Sequence, residues 1–143
     1  MGTVDLGLTH IALPVADLDR SIEFYERFAD MQVVHRRVAH AGDTVAWLSD
    51  LTRPFVVVLL QSPSPASRAT LGGWAHLGIG CVSRHEVDSR MADAAERGHQ
   101  TSGPHDDGPP VGYWGIIVDP DGHNLELAFG QEVTFTVEHA QHS

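Results

Sequence analysis

Basic residues are scarce in this chain. Lysine and arginine together number 9 against 19 aspartates and glutamates, a formal net charge of −10. A nucleic-acid surface needs a basic patch to neutralise phosphates, so that class of partner is excluded. The single cysteine, Cys81, excludes an internal disulfide and reads as a small buried apolar residue rather than a nucleophile. No apolar run approaches the roughly 20 residues of a membrane-spanning helix, and no basic-then-apolar leader opens the sequence. A soluble, cytoplasmic protein with no membrane partner is therefore expected. Gly-rich phosphate loops and the nucleophile-elbow pattern are missing as well, and no tract is of low complexity. What is present is ordinary globular material: 143 residues, 42% hydrophobic and 20% charged, enough for a single domain with its own core.

Along the chain, residues 8–15 read as a strand that closes at Pro14 and Val15. Asp17 has the chemistry of a helix N-cap. Leu18, Ile22, Tyr25 and Ala29 then recur at helical spacing with Phe28 beside them, predicting an amphipathic helix over about 17–30. Three strand-like runs follow at 32–38, 44–49 and 55–61, with turns at Gly42-Asp43 and Thr52-Arg53-Pro54. Residues 62–73 have the Pro/Ser/Gly content of a linker. The order then repeats. A strand is expected over 74–82, and Ser83 with Glu86 makes a capping box. Val87, Met91, Ala94 and Ala95 form the buried stripe of a second helix, which Gly98 terminates. A short strand at Gln100-Thr101, a long Gly/Pro/Asp loop over 103–112 and strands at 113–119 and 124–129 complete the second module. Pro120-Asp121-Gly122 is the turn between the last two, and 133–137 is expected to add an edge segment. The chain thus reads as two tandem βαβββ modules, about 8–61 and 74–130. Neither can bury a sheet face alone, so the fold class is α+β: a curved mixed sheet with helices outside.

The residues that carry chemistry sit at matching strand positions. His10 is followed on its own face by Ala12, His76 by Gly78 and Gly80, and Glu126 by Ala128. The two histidines are close to half the chain apart. Two histidines and one carboxylate form a facial set that suits Fe(II), Mn(II) and related ions and leaves coordination positions open. Small neighbours leave room for a substrate there. Trp47, Tyr113 and Trp114 are candidate walls of an apolar pocket, though aromatic strand residues also serve as plain core. His123, in the turn before Glu126, reads either as a group that orients the carboxylate or as a solvated turn residue. His35, His40, His85 and His99 read as surface residues, and His139 and His142 as part of a polar tail.

Thr9-His10-Ile11-Ala12-Leu13-Pro14-Val15, followed by residues 17–25, resembles the opening of vicinal oxygen chelate proteins. Residues 118–127, Val-Asp-Pro-Asp-Gly-His-Asn-Leu-Glu-Leu, resemble their closing strand pair. The resemblance spans about 8–130. That superfamily includes glyoxalases, extradiol ring-cleaving dioxygenases, methylmalonyl-CoA epimerases and bleomycin or fosfomycin resistance proteins. The resemblance implies paired βαβββ modules, a divalent metal held by His10, His76 and Glu126, and a small substrate that chelates it through two adjacent oxygens. A homodimer is also implied, since dimers are common in the superfamily.

Glyoxalases and the epimerases add a Glu or Gln from the fourth strand of the first module. Here the position equivalent to Glu126 is Val58, so that ligand is expected to be missing. Gln61 reaches the site only with a register shift that turns it to the other face; a metal or substrate role and a plain strand end are both open to it. A three-ligand site fits Fe(II) ring-cleaving dioxygenases better. His105, on the loop before the last strand pair, matches their acid–base histidine, a residue type suited to proton transfer near neutral pH. Their penultimate-strand tyrosine is replaced by Ile116, with Tyr113 three residues earlier as the nearest substitute. His105 and Tyr113 are thus the catalytic candidates. The alternatives are a lyase or epimerase using Zn, Ni, Co or Mn, for which no carboxylate base is evident in the first module, and a metal-free drug-binding protein. Retention of all three ligand types weighs against the last.

Overall fold

The computed structural model describes residues 4–38, 44–62 and 70–142. The expected turn at Gly42-Asp43, His40 and linker residues 63–69 lie outside the described residues. The chain divides into two compact units, Met1–Thr70 and Leu71–Ser143, and each carries one βαβββ module.

In the first unit the order is β1 (His10–Val15), α1 (Leu18–Ala29), β2 (Gln32–Val38), β3 (Thr44–Ser49) and β4 (Val56–Gln61). The sheet runs β1-β4-β3-β2, with β1 and β4 parallel and the other pairs antiparallel. Asp17 caps α1 as its chemistry predicts, its side chain accepting from the Arg20 amide at 3.2 Å. The helical stripe Leu18, Ile22, Tyr25, Phe28 and Ala29 is buried together with Leu13, Val15, Val57 and Leu59, and α1 packs on β2, β3 and β4. Each large apolar side chain removed from water here contributes roughly 1.5–3 kcal/mol. Strand alternation leaves His10, Ala12, Val56 and Val58 on the opposite, less buried face.

The second unit repeats the plan with β5 (Leu77–Gly80), α2 (Arg84–Glu96), β6 (Thr101–Asp106), β7 (Tyr113–Val118) and β8 (Asn124–Phe129), followed by α3 (Val133–Gln141). Its sheet runs β5-β8-β7-β6, with β5 and β8 parallel. The capping box forms: Glu86 N donates to Ser83 Oγ at 3.0 Å, and Val82 N donates back to Glu86 Oε2 at 3.0 Å. Val87, Met91 and Ala94 are buried against Ile117, Leu125 and Leu127, whereas Ala95 is exposed, one position off the stripe. Gly115 is where helix and sheet come closest. A Cβ there would lie 2.7 Å from Met91 Cε, so any side chain at 115 would displace the end of the Met91 side chain from its packing. Gly98 follows the C-cap at φ +88°, the left-handed geometry that glycine adopts without strain.

Three sequence expectations are corrected. Residues 103–106 are not loop: β6 runs through Pro104 because it is an edge strand, where a missing N–H breaks no ladder, and a register shift between Ser102 and His105 absorbs the irregularity. The segment at 133–137 is the start of a helix rather than an edge strand. Its Val/Thr/Phe alternation has strand periodicity, but a strand needs a partner ladder. Here Glu132 N is drawn to the Pro110 carbonyl (3.0 Å) and Thr136 N closes a turn onto Glu132 O (2.9 Å). Cys81 is half-buried rather than fully buried. The α+β class and the repeated βαβββ order hold, and each module forms its own open four-stranded mixed sheet.

Candidate functional site

The second unit contains a cavity of about 880 Å³ on the sheet face away from α2, and His76, Glu126 and His105 all line it. Strand alternation explains why. On β8, Leu125 and Leu127 turn into the core, so Asn124, Glu126 and Ala128 turn the other way. The ladder sets Gly78 beside Glu126 on one side and Ile116 beside it on the other. A Cβ at Gly78 would touch Glu126 Oε2 at 3.4 Å, so the glycine keeps the carboxylate's flank open, as the sequence suggested.

His76 immediately precedes β5 and meets Glu126, Nε2 to Oε2 at 3.0 Å. Its other ring nitrogen, Nδ1, lies 2.7 Å from the Trp74 carbonyl. A carbonyl only accepts, so Nδ1 carries a hydrogen and Nε2 is the nitrogen left to face the carboxylate. This is the arrangement from which a metal site is made: one ring nitrogen tied to a carbonyl, the other aimed at a carboxylate oxygen. A separation of 3.0 Å is also about what two metal–ligand bonds of roughly 2.1 Å span at a right angle. Glu126 is 8% exposed, so its charge has few water contacts to lose on binding a cation. These two residues therefore fit a divalent ion.

Two side chains that sequence reasoning missed support the pair. Asn124 Nδ2 donates to the carbonyls of Gly73 (3.0 Å) and Ala75 (3.2 Å), which holds the turn carrying His76. Its place two residues before Glu126, on the same strand face, was a readable signal. Gln131 lines the cavity and points Nε2 at Glu126 Oε1 at 3.5 Å; it lies beyond the strand, where no periodicity marks it. Asp107, also on the lining, accepts from Trp114 Nε1 at 2.8 Å and fixes the indole.

The other candidates divide. His105 lines the cavity with its ring tilted on Trp114, centroids 4.8 Å apart. Trp114 is a wall of the same cavity; Tyr113, its neighbour, is not. The Tyr113 hydroxyl donates to Asp88 on α2, its ring lies under the Arg84 guanidinium at 4.6 Å, and the hydrogen bond to Asp88 raises its pKa above the usual 10.0. Alternation along β7 sends residues 113 and 114 to opposite faces, which separates Tyr113 from His105. His123 is neither solvated nor directed at Glu126: it is fully buried, and its Nδ1 accepts from the Leu71 amide at 3.0 Å.

In the first unit, His10 opens β1 with Nδ1 2.9 Å from Thr9 Oγ1, and lines a cavity of about 470 Å³ with Trp47 and Val58. The registers match across the repeat: Ala12 pairs with Val58 as Gly78 pairs with Glu126. Val58 thus holds on β4 the position that Glu126 holds on β8. Gln61 is on the other face, where Oε1 accepts from the Leu18 amide at 2.8 Å and satisfies the first free N–H of α1. Its polarity answers a helix terminus. Among the described residues no three His, Cys, Asp or Glu side chains are gathered in one group. His76 and Glu126 meet within one unit, while His10 belongs to the other.

Comparison with known proteins places the chain. The family model described as Glyoxalase/Bleomycin resistance protein/Dioxygenase superfamily matches residues 7–127. An uncharacterised protein of Pseudomonas aeruginosa is 36% identical over 126 residues, covering 87% of this chain and 89% of that one. A lactoylglutathione lyase of Arabidopsis thaliana is 29% identical over 124 residues, 82% of this chain, but the match spans only 42% of the plant protein. Two solved structures show the same fold. The trypanothione-dependent glyoxalase I of Leishmania major has a TM-score of 0.71 at 23% identity, covering 96% of this chain and 94% of that one. A variant of the fosfomycin resistance protein FosX from Listeria monocytogenes, in complex with Mn(II) and 1S,2S-dihydroxypropylphosphonic acid, has a TM-score of 0.70 at 18% identity, covering 94% and 99%. Among the described residues, no helix is long and apolar enough to cross a membrane.

Proposed function

Because this chain belongs to the Glyoxalase/Bleomycin resistance protein/Dioxygenase superfamily, we propose that it is a divalent-metal-dependent enzyme that holds a small substrate through two neighbouring oxygens. The observation that carries the reading is the His76–Glu126 pair, 3.0 Å apart in a cavity, with the far nitrogen of the imidazole tied to a carbonyl. His76 and Glu126 would hold the ion. By the repeat, His10 is the corresponding donor of the first unit, since it stands two residues before the Ala12–Val58 step just as His76 stands two before Gly78–Glu126. A bound divalent ion supplies Lewis-acid polarisation of the substrate's oxygens. His105 accepts and returns a proton from the same cavity. Trp114, Ile116 and Val118 on its lining exclude water from that transfer. FosX, named in complex with Mn(II) and a compound bearing two adjacent hydroxyls, supports oxygen chelation as the binding mode.

Two reactions are compatible with this site, and different observations favour each. Relatives and a structural neighbour named as lactoylglutathione lyases or glyoxalase I favour lyase-type proton transfer with Zn, Ni, Co or Mn. Val58 in the place of a fourth ligand favours the second reading, extradiol ring cleavage with Fe(II). Anaerobic purification with metal analysis separates them, followed by assays with a glutathione hemithioacetal and with catechol plus O₂. Thiol-ester formation with zinc, nickel, cobalt or manganese supports the first, and a yellow ring-fission product with iron supports the second. Failure to take up any divalent ion, even after reconstitution, refutes the enzyme reading and leaves sequestration of a small molecule.

A further inference from the structure

The cavity of the first unit differs in charge from the rest of the protein. All nine basic residues of the chain are arginines, set against 19 acidic ones, yet Arg37 and Arg53 both line this one cavity together with His10. Among the described residues neither guanidinium has a carboxylate within ion-pair distance, whereas Arg36, Arg84, Arg90 and Arg97 each do. Arg37 lies over the Trp47 ring at 5.7 Å, and the Arg53 guanidinium donates to the neighbouring Thr52 hydroxyl at 3.3 Å. Asp5 is the one acidic residue on the lining. Thr9 and Ser49 add hydroxyls, and the remaining lining is apolar, with Val58 beside Trp47 on the paired strands.

Strand geometry explains the grouping. Trp47 pairs with Val58 on one side and with His35 on the other, so Arg37, two residues beyond His35 on β2, falls on the same face. Arg53 arrives from the turn before β4. Burial opposes it, but hydrogen bonds from Thr52 and the Arg53 charge hold the Asp50 carboxyl below its usual value. Arg37, over the Trp47 ring, has no carboxylate partner among the described residues. Two guanidiniums against one acidic residue on the lining make a receptor for an external anion. Guanidinium donors match the oxygens of carboxylate and phosphonate groups, and the ring accommodates the apolar body that carries them.

We infer that Arg37, Arg53 and Trp47 form an anion subsite that binds a carboxylate or phosphonate attached to an apolar body. Resting on the function proposed above, this makes the substrate an organic anion whose charged end binds in the first unit, beside His10.

Calorimetry on metal-free protein tests the subsite independently of any metal. Benzoate and phenylphosphonate are the anionic probes, and benzamide is the neutral control of the same shape. Both anions should bind and benzamide should not, and binding should weaken as salt is raised. Arg37→Gln and Arg53→Gln should each lower anion affinity on the order of ten-fold, as expected for loss of a charge-assisted hydrogen bond, while Arg37→Lys should recover part of it. Both arginines are exposed, so these variants should keep the fold, which circular dichroism checks. Preference for phenylphosphonate over benzoate assigns the dianion, and the reverse assigns the carboxylate. Equal binding of benzamide and benzoate, no binding of either anion, or wild-type affinity in both Gln variants overturns the proposal. Anion binding by a protein that takes up no metal keeps the subsite and refutes the enzyme reading; metal uptake without anion binding does the opposite.

Discussion

Gln61 offers a sharp test of how a polar strand residue is used. Its Oε1 is 2.8 Å from the Leu18 amide, and Leu18 is 1% exposed, so water has little access to that N–H once the side chain is removed. The Asp17 carboxylate is already engaged with the Arg20 amide, and the Asp17 carbonyl with Ser21 N. Gln61→Ala therefore strips a cap and leaves a buried donor without its acceptor. A lost cap costs about 0.5–2 kcal/mol, and a stranded buried donor about 1–3 kcal/mol. Because Gln61 is only half-buried and some water can enter, about 1.5 kcal/mol is expected. For a chain of this size that lowers Tm by about 3–6 °C. Gln61→Glu keeps an acceptor and adds a negative charge at a helix N-terminus, worth about 0.3–1 kcal/mol, so it should stay within about 1 kcal/mol of wild type. Thermal melts read the stability and metal analysis reads the site, whose metal content should be unchanged in both variants. If Gln61→Ala melts like wild type but loses bound metal, the residue is a ligand and the capping argument is wrong.

Asn124→Ala frees the Gly73 and Ala75 carbonyls and should weaken metal binding on the order of ten-fold, the usual effect of a residue that orients a ligand, with kcat of the fully loaded protein little changed; equal affinity by titration would show that the turn holds itself. His76→Ala should abolish uptake of a divalent ion while leaving the fold intact, read by metal analysis and circular dichroism; undiminished uptake would mean that the pair is not the binding site. Tyr113→Phe should leave turnover within two-fold of wild type, since the hydroxyl is committed to Asp88. The same substitution should remove a stabilising contribution that is present below pH 10.0 and fades as the pH rises through the raised pKa, which urea melts against pH resolve. The hydrogen bond from Arg84 holds Asp106 below the ordinary carboxylate value of 3.8. Its contribution is therefore present above that value and lost as the pH falls through the lowered one, so Arg84→Met should flatten the acid side of the stability profile; an unchanged acid limb would show the pair to be inert.

The repeat, the caps and the site's strand faces were all readable from the residues. Helical spacing placed Leu18, Ile22, Tyr25 and Phe28 in one buried stripe, and Asp17 and Ser83 announced the helix starts. The expected absence of a ligand at Val58 rested on counting residues from a turn, and the ladder Ala12–Val58 against Gly78–Glu126 bears out the equivalence. These features are local or periodic. A cap reaches three residues, alternation has a period of two, and a duplicated module repeats both.

What the residues did not declare depends on partners distant in sequence. Gln61 is a helix cap because Leu18 N, 43 positions away, needs an acceptor. Buried His123 is used by the Leu71 amide across 52 positions. Pro104 sits in a strand only because β6 is at a sheet edge, and residues 133–137 coil because no ladder takes them. Tyr113 and Trp114 are neighbours of similar character, yet one is tied to a helix and the other walls a cavity with His105. The His76–Glu126 pair stands between these cases. Its residue types and strand faces were in the sequence, but the tautomer set by the Trp74 carbonyl and the turn held by Asn124 exist only in the folded chain. Hydrogen-bond partners are chosen by proximity in space, and only tertiary structure supplies that.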